Sequence, residues 1–440
     1  MNKDTPIDFK TVEGKIKETG LEKVGRGTIR EIVKLVNDIE TATGKKYIRM
    51  EMGVPGLEPP SVGIEAEIDA LRRGLASKYP MIEGVASLKE EASRFVKMFL
   101  NIDVSPRGCL STVGSLQGSF AAFITAGRRD EKKDTALLID PCFPVHKQQL
   151  KVLGQKFEAF DVYNYRGDKL YEKLESYLKK GNINCILYSN PNNPSWICFT
   201  EKELNIIGEL ANKYDVVVLE DLAYFCMDFR KDLSKPGEPP YQSTVANYTG
   251  NYILFISSSK SFSYAGQRSG LMIISDELYQ RRFPDLKRYY SSDILGYAMV
   301  YGTLYALSAG TSHSPQYGLA AMLKAANDGE YNFVEDVREY GERAAIMKKM
   351  FTDNGFQIVY DKDEDKPLAD GFYFTISYPA FEGVDLLERL LYYGISAISL
   401  DITGSERTEG LRACVSQISR SQFPDLEYRL KKFNEHHPVS

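Results

Sequence analysis

Long hydrophobic runs are missing from this chain of 440 residues. No stretch approaches the roughly eighteen consecutive apolar residues of a membrane-spanning helix, and the first 20 residues lack the apolar segment of a secretory signal. An excess of positive charge is missing too, since 55 Lys and Arg oppose 60 Asp and Glu, giving a net charge of −5. A nucleic-acid backbone or an anionic membrane requires a broad cationic surface. We therefore expect a cytoplasmic protein without a membrane or nucleic-acid partner.

Cysteine and histidine are also scarce. The six cysteines lie far apart without a C-x-x-C pair, at positions 109, 142, 185, 198, 226 and 414. A chain of this length folds without disulfides, so isolated cysteines are typical of a reducing compartment. Two of the four histidines, His436 and His437, stand near the carboxyl end, and none of the four belongs to a pattern with zinc-ligand spacing. We expect neither a disulfide framework nor a bound metal.

Helix and strand patterns alternate through the middle of the chain. Three Ser/Thr-x-x-Glu capping boxes predict helix starts at Thr28, Ser87 and Thr200. Short β-branched runs with little alternation predict strands buried on both faces: TALLI from 135, INCILY from 183, DVVVL from 215, YILFI from 252 and LMII from 271. This alternation over roughly residues 105–280 predicts an α/β fold, with a mostly parallel sheet between two layers of helices.

The carboxyl-terminal part has a different pattern. Helical spacing near 330–352 precedes a short strand at GFYFTIS (371–377), a helix at 384–393 and a strand at ACVS from 413. This order predicts a second, smaller α+β domain. We predict an N-terminal arm and helix over 1–45, a small domain formed by 46–75 with 326–440, and a large domain over 76–325.

Lys260 follows the predicted strand YILFIS by a few residues. Parallel sheets bind ligands beyond the carboxyl ends of their strands, so this lysine is expected at the ligand-binding edge. A lone lysine is most often a solvated surface charge, and its position alone indicates little. Its neighbours indicate more, because they supply hydroxyl groups and a planar cation that suit a phosphate: Ser257, Ser259, Ser261 and Arg268.

Polar side chains follow two more of the predicted strands. Asp221 ends the run VVVLE and Tyr224 follows it, which offers a ligand a carboxylate and a phenol. An aspartate at a strand end also commonly caps a turn. The segment YSNPNNP (188–194) follows another strand, and Asn-Pro pairs are common in loops. Here Pro194 would hold the amide of Asn193 rigidly toward a ligand.

A glycine-rich turn, TVGSLQGSF (112–120), leads into a helical stretch near the start of the predicted sheet. Backbone N–H groups at such a helix start suit a phosphate. In chain order, the glycine turn, an aromatic residue, Asn-Pro, Asp-x-x-Tyr, Lys, Arg and a late Arg resemble the class I and II aminotransferases, over roughly residues 45–420. These are fold-type I pyridoxal-phosphate enzymes. The resemblance implies transfer of an amino group from an amino acid to a 2-oxo acid.

The resemblance also implies a role for each matching residue. Lys260 would hold the cofactor as a Schiff base and later move the proton at the substrate Cα. Asp221 would pair with the ring nitrogen, with His146 behind it, and Phe143 would stack on the ring. The remaining cofactor contacts would come from Ser115, the amide of Leu116, Ser257 and Arg268 at the phosphate, from Asn193 and Tyr224 at the phenolic oxygen, and from Tyr79 of a second subunit of a homodimer.

The substrate's α-carboxylate would be bound by Gly53, Asn193 and Arg412, where the planar guanidinium grips two oxygens. The chain departs from the family in two places. Trp196 stands where the family has a glycine after Asn-Pro-Ser, and it is the only tryptophan. The segment 289–323 contains neither Arg nor Lys, although members specific for dicarboxylates place a side-chain-binding arginine there. We therefore expect neutral or aromatic substrates rather than aspartate.

Other reactions use the same motifs. A lyase, a decarboxylase or a cyclising enzyme on this fold would share every residue named so far. A serine acyl transferase is a distant alternative, because Ser257 and Lys260 also spell S-x-x-K, but its partner motifs S-D-N and K-T-G are missing from the chain.

Overall fold

The computed structural model describes residues 4–438. The chain divides into two compact units. The first unit comprises Met1–Gly56, Asn193–Ile197 and Arg338–Ser440, and the second comprises Leu57–Asn192 and Cys198–Val337. The predicted domain boundaries at 45, 75 and 325 stay a prediction. No helix among residues 4–438 is long and apolar enough to cross a membrane.

Strands occur in both units. In chain order they are β1 (Ile48–Arg49), β2 (Cys109–Val113), β3 (Thr135–Asp140), β4 (Lys156–Asp161), β5 (Ile183–Ser189), β6 (Val217–Leu222), β7 (Tyr252–Ser257), β8 (Ser269–Ile274), β9 (Gln357–Ile358), β10 (Lys362–Asp363), β11 (Lys366–Pro367), β12 (Tyr373–Ser377), β13 (Ile395–Ser396), β14 (Ile398–Ser399) and β15 (Leu411–Cys414). The five strand runs predicted in the middle of the chain are confirmed as β3, β5, β6, β7 and β8.

The second unit contains a seven-stranded sheet in the order β2-β8-β7-β6-β5-β3-β4. Adjacent strands from β4 to β7 pair in parallel, whereas β8 is antiparallel to both β7 and β2. Only β8 is therefore reversed within this sheet, and the predicted mostly parallel α/β sheet is confirmed. The prediction found neither β2, a five-residue strand with the sequence CLSTV, nor β4. The sequence of β4, KFEAFD, is partly exposed at the sheet edge and lacks a buried apolar run.

Both faces of the central strands are buried, since every residue of β3, β5, β6, β7 and β8 is buried. One face packs against the helix Gly114–Ala126, which contributes Ala121, Ala122 and Phe123 to the same apolar core as Leu138, Leu187, Leu219 and Phe255. Burial on both faces explains why these strands are continuous apolar runs without alternation.

The helices of nine or more residues are Phe9–Glu18, Ile29–Thr43, Ser61–Arg72, Ala86–Leu100, Gly114–Ala126, Pro144–Val152, Lys169–Leu178, Glu201–Tyr214, His313–Asn327, Phe333–Asp353, Gly383–Tyr392 and Phe423–His436. The capping boxes at Thr28 and Thr200 are confirmed, with both reciprocal hydrogen bonds present. The one at Ser87 is wrong, because the helix begins at Ala86 after Val85 and has no side-chain cap. Ser87 is already inside the first turn, where its hydroxyl is exposed.

The first unit contains a four-stranded antiparallel sheet in the order β14-β15-β12-β9 and a parallel pair, β1 with β13. The strands predicted at 371–377 and from 413 correspond to β12 and β15, and the helix predicted at 384–393 is Gly383–Tyr392. Antiparallel strands with packed helices confirm the α+β pattern of this part of the chain.

Candidate active site

Several of the predicted site residues follow strands of the large sheet. Parallel strands end at the same edge of a sheet, and a reversed strand begins there. The ends of β2, β6 and β7 therefore place Ser115, Asp221 and Lys260 at one edge, and the start of β8 places Arg268 at that edge too. Within the second unit the fold thus brings together residues that are up to 153 positions apart in the chain, the separation of 115 and 268.

Asp221 lies inside β6 and is 5% exposed. Its Oδ2 lies 3.4 Å from Nε2 of His146, which is 2% exposed. Its Oδ1 is buried and has no hydrogen-bond partner among the described residues. The carboxylate therefore does not cap a turn. A buried acceptor without a donor is unfavourable unless a ligand supplies one.

Lys260 is half-buried on a four-residue helical turn, Ser258–Ser261. The hydroxyl of Ser257 accepts the N–H of Ser259 at 3.1 Å and so begins this turn. The hydroxyl of Ser261 donates to the carbonyl oxygen of Phe225 at 2.9 Å. Ser261 therefore ties the lysine turn to the segment after β6 instead of offering its hydroxyl to a phosphate, as its sequence position had suggested.

Arg268 and the start of the helix Gly114–Ala126 form a narrow cradle. Gly114 has a φ of +64°, and a Cβ there would stand 2.5 Å from Nη2 of Arg268. A Cβ at Gly270 would stand 3.2 Å from the backbone N of Ser115. Both glycines therefore keep the exposed guanidinium of Arg268 close to the first backbone N–H groups of the helix, which lack partners within the helix. This combination suits an anion.

These observations test whether pyridoxal phosphate fits the second unit. The cofactor presents a phosphate, a protonated ring nitrogen and a carbonyl carbon. The cradle of Arg268 and the helix start matches the phosphate, Oδ1 of Asp221 matches the ring N–H, and the amine of Lys260 matches the carbonyl carbon. The residues present therefore fit the group.

The other predicted cofactor residues have distinct surroundings. The ring of Phe143 is half-buried and stands edge-on to His146, with ring centres 5.9 Å apart. Leu116 is half-buried in the first turn of its helix, and Tyr224 is 3% exposed in the turn after β6. Tyr79, by contrast, is 95% exposed. A tyrosine so exposed is available to another molecule.

The sequence interpretation missed Glu220, which is fully buried beside Asp221 in β6. Its carboxylate accepts the hydroxyl of Thr244 at 2.5 Å, the N–H of Val245 at 3.1 Å and the amide of Asn190 at 3.4 Å. Burial raises the pKa of Glu220 to about 7 against the pull of these donors. The signal was visible, since a glutamate inside the apolar run VVVLE requires buried partners.

In the first unit, Arg412 lies on β15 and is 2% exposed. Its Nη1 donates to Oδ1 of Asn193 at 3.3 Å, and its Nη2 donates to the backbone carbonyl oxygen of Glu51. Its Nε is buried and has no hydrogen-bond partner in the part of the chain that the structure describes. A buried guanidinium held by neutral acceptors, with a donor left over, suits a carboxylate that comes from outside.

Glu51 is the second buried acid that the sequence interpretation missed. It is 0% exposed, and its carboxylate accepts hydrogen bonds from Nε of Arg49 at 2.8 Å and from the hydroxyl of Ser396 at 2.6 Å. These bonds fix the backbone at Glu51, whose carbonyl oxygen accepts from Arg412, two residues before Gly53. No pattern in the sequence distinguishes Glu51 from an exposed glutamate.

Comparisons with known proteins add an independent finding. The family model for aminotransferase class I and II matches residues 45–421. A probable aspartate aminotransferase of Methanocaldococcus jannaschii is 24% identical over 364 residues, which are 82% of this chain and 85% of that protein. The aromatic-amino-acid aminotransferase 2 of Thermococcus litoralis is 24% identical over 350 residues, 78% of this chain and 80% of that protein.

Solved structures share the fold. The aspartate aminotransferase of Thermotoga maritima superposes with a TM-score of 0.74 at 18% sequence identity, covering 96% of this chain and 99% of that chain. The family match spans every predicted site residue, from Gly53 to Arg412.

Proposed function

Because this chain belongs to the class I and II aminotransferase family, we propose that Lys260 is the residue that holds its pyridoxal phosphate. The protein is a transaminase of fold type I, which moves an amino group between an amino acid and a 2-oxo acid. The observation that carries the assignment is the edge of the large sheet, where Lys260 and Arg268 share one edge with Asp221 and its unpartnered Oδ1.

When bound, pyridoxal phosphate supplies an electron sink that stabilises negative charge at the substrate Cα. The carboxylate of Asp221 keeps a proton on the ring nitrogen, because a buried anion favours the cation opposite it. His146 holds Oδ2 of Asp221, which leaves Oδ1 directed at the ligand. The amine of Lys260 would take the proton from the substrate Cα and deliver it to the former carbonyl carbon of the cofactor.

The phosphate is bound by Arg268, Ser115, the amide of Leu116 and Ser257. The glycines at 114 and 270 support this role, since they keep the cation and the helix start together. Phe143 would cover one face of the cofactor ring, and Tyr224 would bind its phenolic oxygen. The hydroxyl of Ser257 caps the lysine turn, a role that argues against its use as an acyl-transfer nucleophile.

Arg412 receives the α-carboxylate of the substrate, next to Gly53. Asn193 and the carbonyl oxygen of Glu51 orient the guanidinium from its two terminal nitrogens. Because a planar guanidinium presents paired N–H groups, a carboxylate binds it through both oxygens. Every amino-acid substrate carries this group, so Arg412 recognises the class and not the side chain.

The substrate's side chain is neutral or aromatic in this proposal. A side-chain carboxylate requires its own cation, and the segment 289–323 contains only His313 as a basic residue. Its Nδ1 lies 3.2 Å and 3.0 Å from the carbonyl oxygens of Leu75 and Lys78, so the ring is already engaged. Two relatives with the same 24% identity are named as an aspartate and an aromatic-amino-acid aminotransferase, so relatedness does not distinguish the two substrate classes.

We further propose a homodimer in which Tyr79 reaches the phosphate of the neighbouring subunit. Five large side chains of the second unit support it, because they are 41–95% exposed: Tyr79, Met81, Tyr297, Tyr301 and Tyr305. Closed two-fold pairing would bury such side chains. The six cysteines are all buried thiols, which supports the predicted cytoplasmic location.

Reduction with borohydride tests the assignment of Lys260. Treatment of the holoenzyme should fix the cofactor on the peptide that contains Lys260, as located by mass spectrometry. Lys260→Ala should lose both the adduct and the absorbance of the bound cofactor, whereas Lys213→Ala, a control lysine that pairs with Glu175 on the same unit, should keep both. An adduct on another lysine would refute the proposal.

A further inference from the structure

An aromatic ring lies under the guanidinium of Arg412. Cζ of Arg412 stands 4.6 Å from the ring centre of Tyr373, within the range of a cation–π contact. The pair follows from the sheet register, because Thr375 opposes Arg412 and Cys414 opposes Tyr373 on the antiparallel strands β12 and β15. Arg412 and Tyr373 are thus diagonal neighbours on one face of the sheet.

Trp196 also contacts this ring. Its indole meets Tyr373 edge-to-face, with ring centres 6.1 Å apart at 70°, and it is 1% exposed. Its backbone has a φ of +65°, in the left-handed region that favours glycine. The aminotransferase pattern has a glycine at this position. Here the chain keeps the unfavourable backbone and adds the largest side chain.

Two glycines make room for these rings. A Cβ at Gly371 would overlap the indole of Trp196 at Cε2, and a Cβ at Gly53 would overlap the hydroxyl of Tyr373. The close approach of Gly53 to Tyr373 gives a physical reason for a glycine beside the carboxylate site. The positions of Trp196 and Tyr373 are therefore restricted by their neighbours Gly371 and Gly53.

We propose that Trp196 is a positioning residue of the carboxylate site, acting on Arg412 through Tyr373. The inference rests on the proposed role of Arg412 as the receptor for the substrate carboxylate. Asn193 and Glu51 accept hydrogen bonds from two nitrogens of the guanidinium. These two contacts define a line, about which the plane of the guanidinium can still rotate. The ring of Tyr373 sets that plane, and the indole holds the ring. Bidentate binding depends on the plane, so loss of the indole weakens carboxylate binding.

The effect of Trp196 on binding should depend on whether the ligand has a carboxylate. A ligand with a carboxylate depends on Trp196, whereas a ligand of the same shape with an alcohol in its place does not. A merely structural role for Trp196 predicts a different result, because general loosening of the unit weakens both ligands equally.

The test measures binding by calorimetry to the holoenzyme, with 3-phenylpropanoate and 3-phenylpropan-1-ol as ligands that lack the reacting amino group. The aliphatic pair 4-methylpentanoate and 4-methylpentan-1-ol is measured alongside, so that side-chain preference does not decide the outcome. Trp196→Gly, which suits the left-handed backbone, should weaken both carboxylates by roughly 3- to 10-fold and both alcohols by less than about 2-fold. Trp196→Phe should restore part of the loss.

Arg412→Ala distinguishes the two proposals. If it weakens the carboxylates strongly and the double variant Trp196→Gly with Arg412→Ala weakens them no further, Trp196 acts through Arg412. If Arg412→Ala is selective and Trp196→Gly and Trp196→Phe are not, only the role of Trp196 is refuted. If Arg412→Ala itself shows no selectivity, the proposed carboxylate site is wrong.

A stability control completes the design. Phe356→Ala removes another buried aromatic ring of the first unit, packed against Tyr378 and Phe433. It should lower the thermal unfolding temperature about as much as Trp196→Gly without selectivity between carboxylate and alcohol. Equal selectivity in this control would overturn the proposal.

Discussion

Nε2 of His146 lies 3.4 Å from Oδ2 of Asp221, and both side chains are buried. Nδ1 of the same histidine and Oδ1 of the same aspartate have no hydrogen-bond partner among the described residues. The two side chains therefore hold each other and leave one acceptor, Oδ1, for a ligand at the sheet edge.

Asp221→Ala should slow transamination by at least roughly 10²- to 10³-fold with the cofactor saturating, because the charge that keeps the ring nitrogen protonated is removed. His146→Asn should slow it much less, since it disturbs only the orientation of the carboxylate. Single-turnover measurements with a Cα-deuterated amino acid report the step concerned. Asp161→Asn, at the end of the edge strand β4, is the control. Near-normal turnover in Asp221→Ala would contradict the assignment.

Glu220 makes stability depend on pH. Burial raises its pKa from the ordinary 4.5 to about 7, so the folded chain keeps a proton that the unfolded chain releases. Its contribution to the free energy of unfolding is fully present below about pH 4.5. As the pH rises through about 7 this contribution is lost, which lowers the free energy of unfolding by about 3 kcal/mol at most. Glu220→Gln should therefore flatten the decline in the free energy of unfolding between pH 5 and 8.

Asp140 provides the comparison for this measurement. Burial raises its pKa to about 6 although Lys147 pairs with it at 2.6 Å. The free energy of unfolding therefore also falls as Asp140 loses its proton, but at lower pH than for Glu220. Urea unfolding of wild type, Glu220→Gln and Asp140→Asn at several pH values separates the two groups. Identical slopes in all three proteins would show that neither acid titrates as described.

The helix caps give a test that does not involve the active site. Thr28→Ala and Thr200→Ala should each lower the free energy of unfolding by about 1 kcal/mol, because each hydroxyl accepts an N–H of the first turn. Ser87→Ala should change it by less than about 0.5 kcal/mol, since this hydroxyl is inside a helix and caps nothing. Chemical denaturation measures all three, and an equal cost at Ser87 would contradict the observed helix start.

Substrate preference tests the carboxylate site and the uncharged side-chain site together. Arg412→Ala should weaken the binding of every amino-acid substrate by about 2 to 5 kcal/mol, because it removes the buried cation that pairs with the α-carboxylate. In the wild type, kcat/KM for alanine, leucine and phenylalanine should exceed the value for aspartate. A clear preference for aspartate, kept in competition with bulky neutral substrates, would indicate a cation from outside the segment 289–323.

Light scattering tests the homodimer. Wild type should have twice the mass of the chain, and Tyr305→Arg, which puts a charge among the exposed aromatic side chains of the second unit, should shift the protein toward monomer. Tyr428→Arg is a matched control, since Tyr428 is 53% exposed on the helix Phe423–His436 of the first unit. A fully active wild-type monomer would refute both the dimer and the role of Tyr79.

Elements with local signals can be predicted from the amino-acid sequence alone. Five strands are apolar runs because both their faces are buried: β3, β5, β6, β7 and β8. Burial on both faces requires consecutive apolar residues, which are visible in the sequence. The caps at Thr28 and Thr200 are equally local, since hydroxyl and carboxylate are three residues apart. Ser87 has the same pattern without the cap, because the preceding backbone already starts the helix at Ala86.

Contacts between distant parts of the chain follow from the folded structure and not from local sequence patterns. The reversal of β8, which brings Arg268 to the edge where the parallel strands end, depends on pairing between residues far apart in the chain. The contacts of Arg412 with Glu51, Asn193 and Tyr373 join four separate segments. A buried acid such as Glu51 looks like any surface glutamate in the sequence, because burial and hydrogen bonding are properties of the packed chain and not of its local pattern.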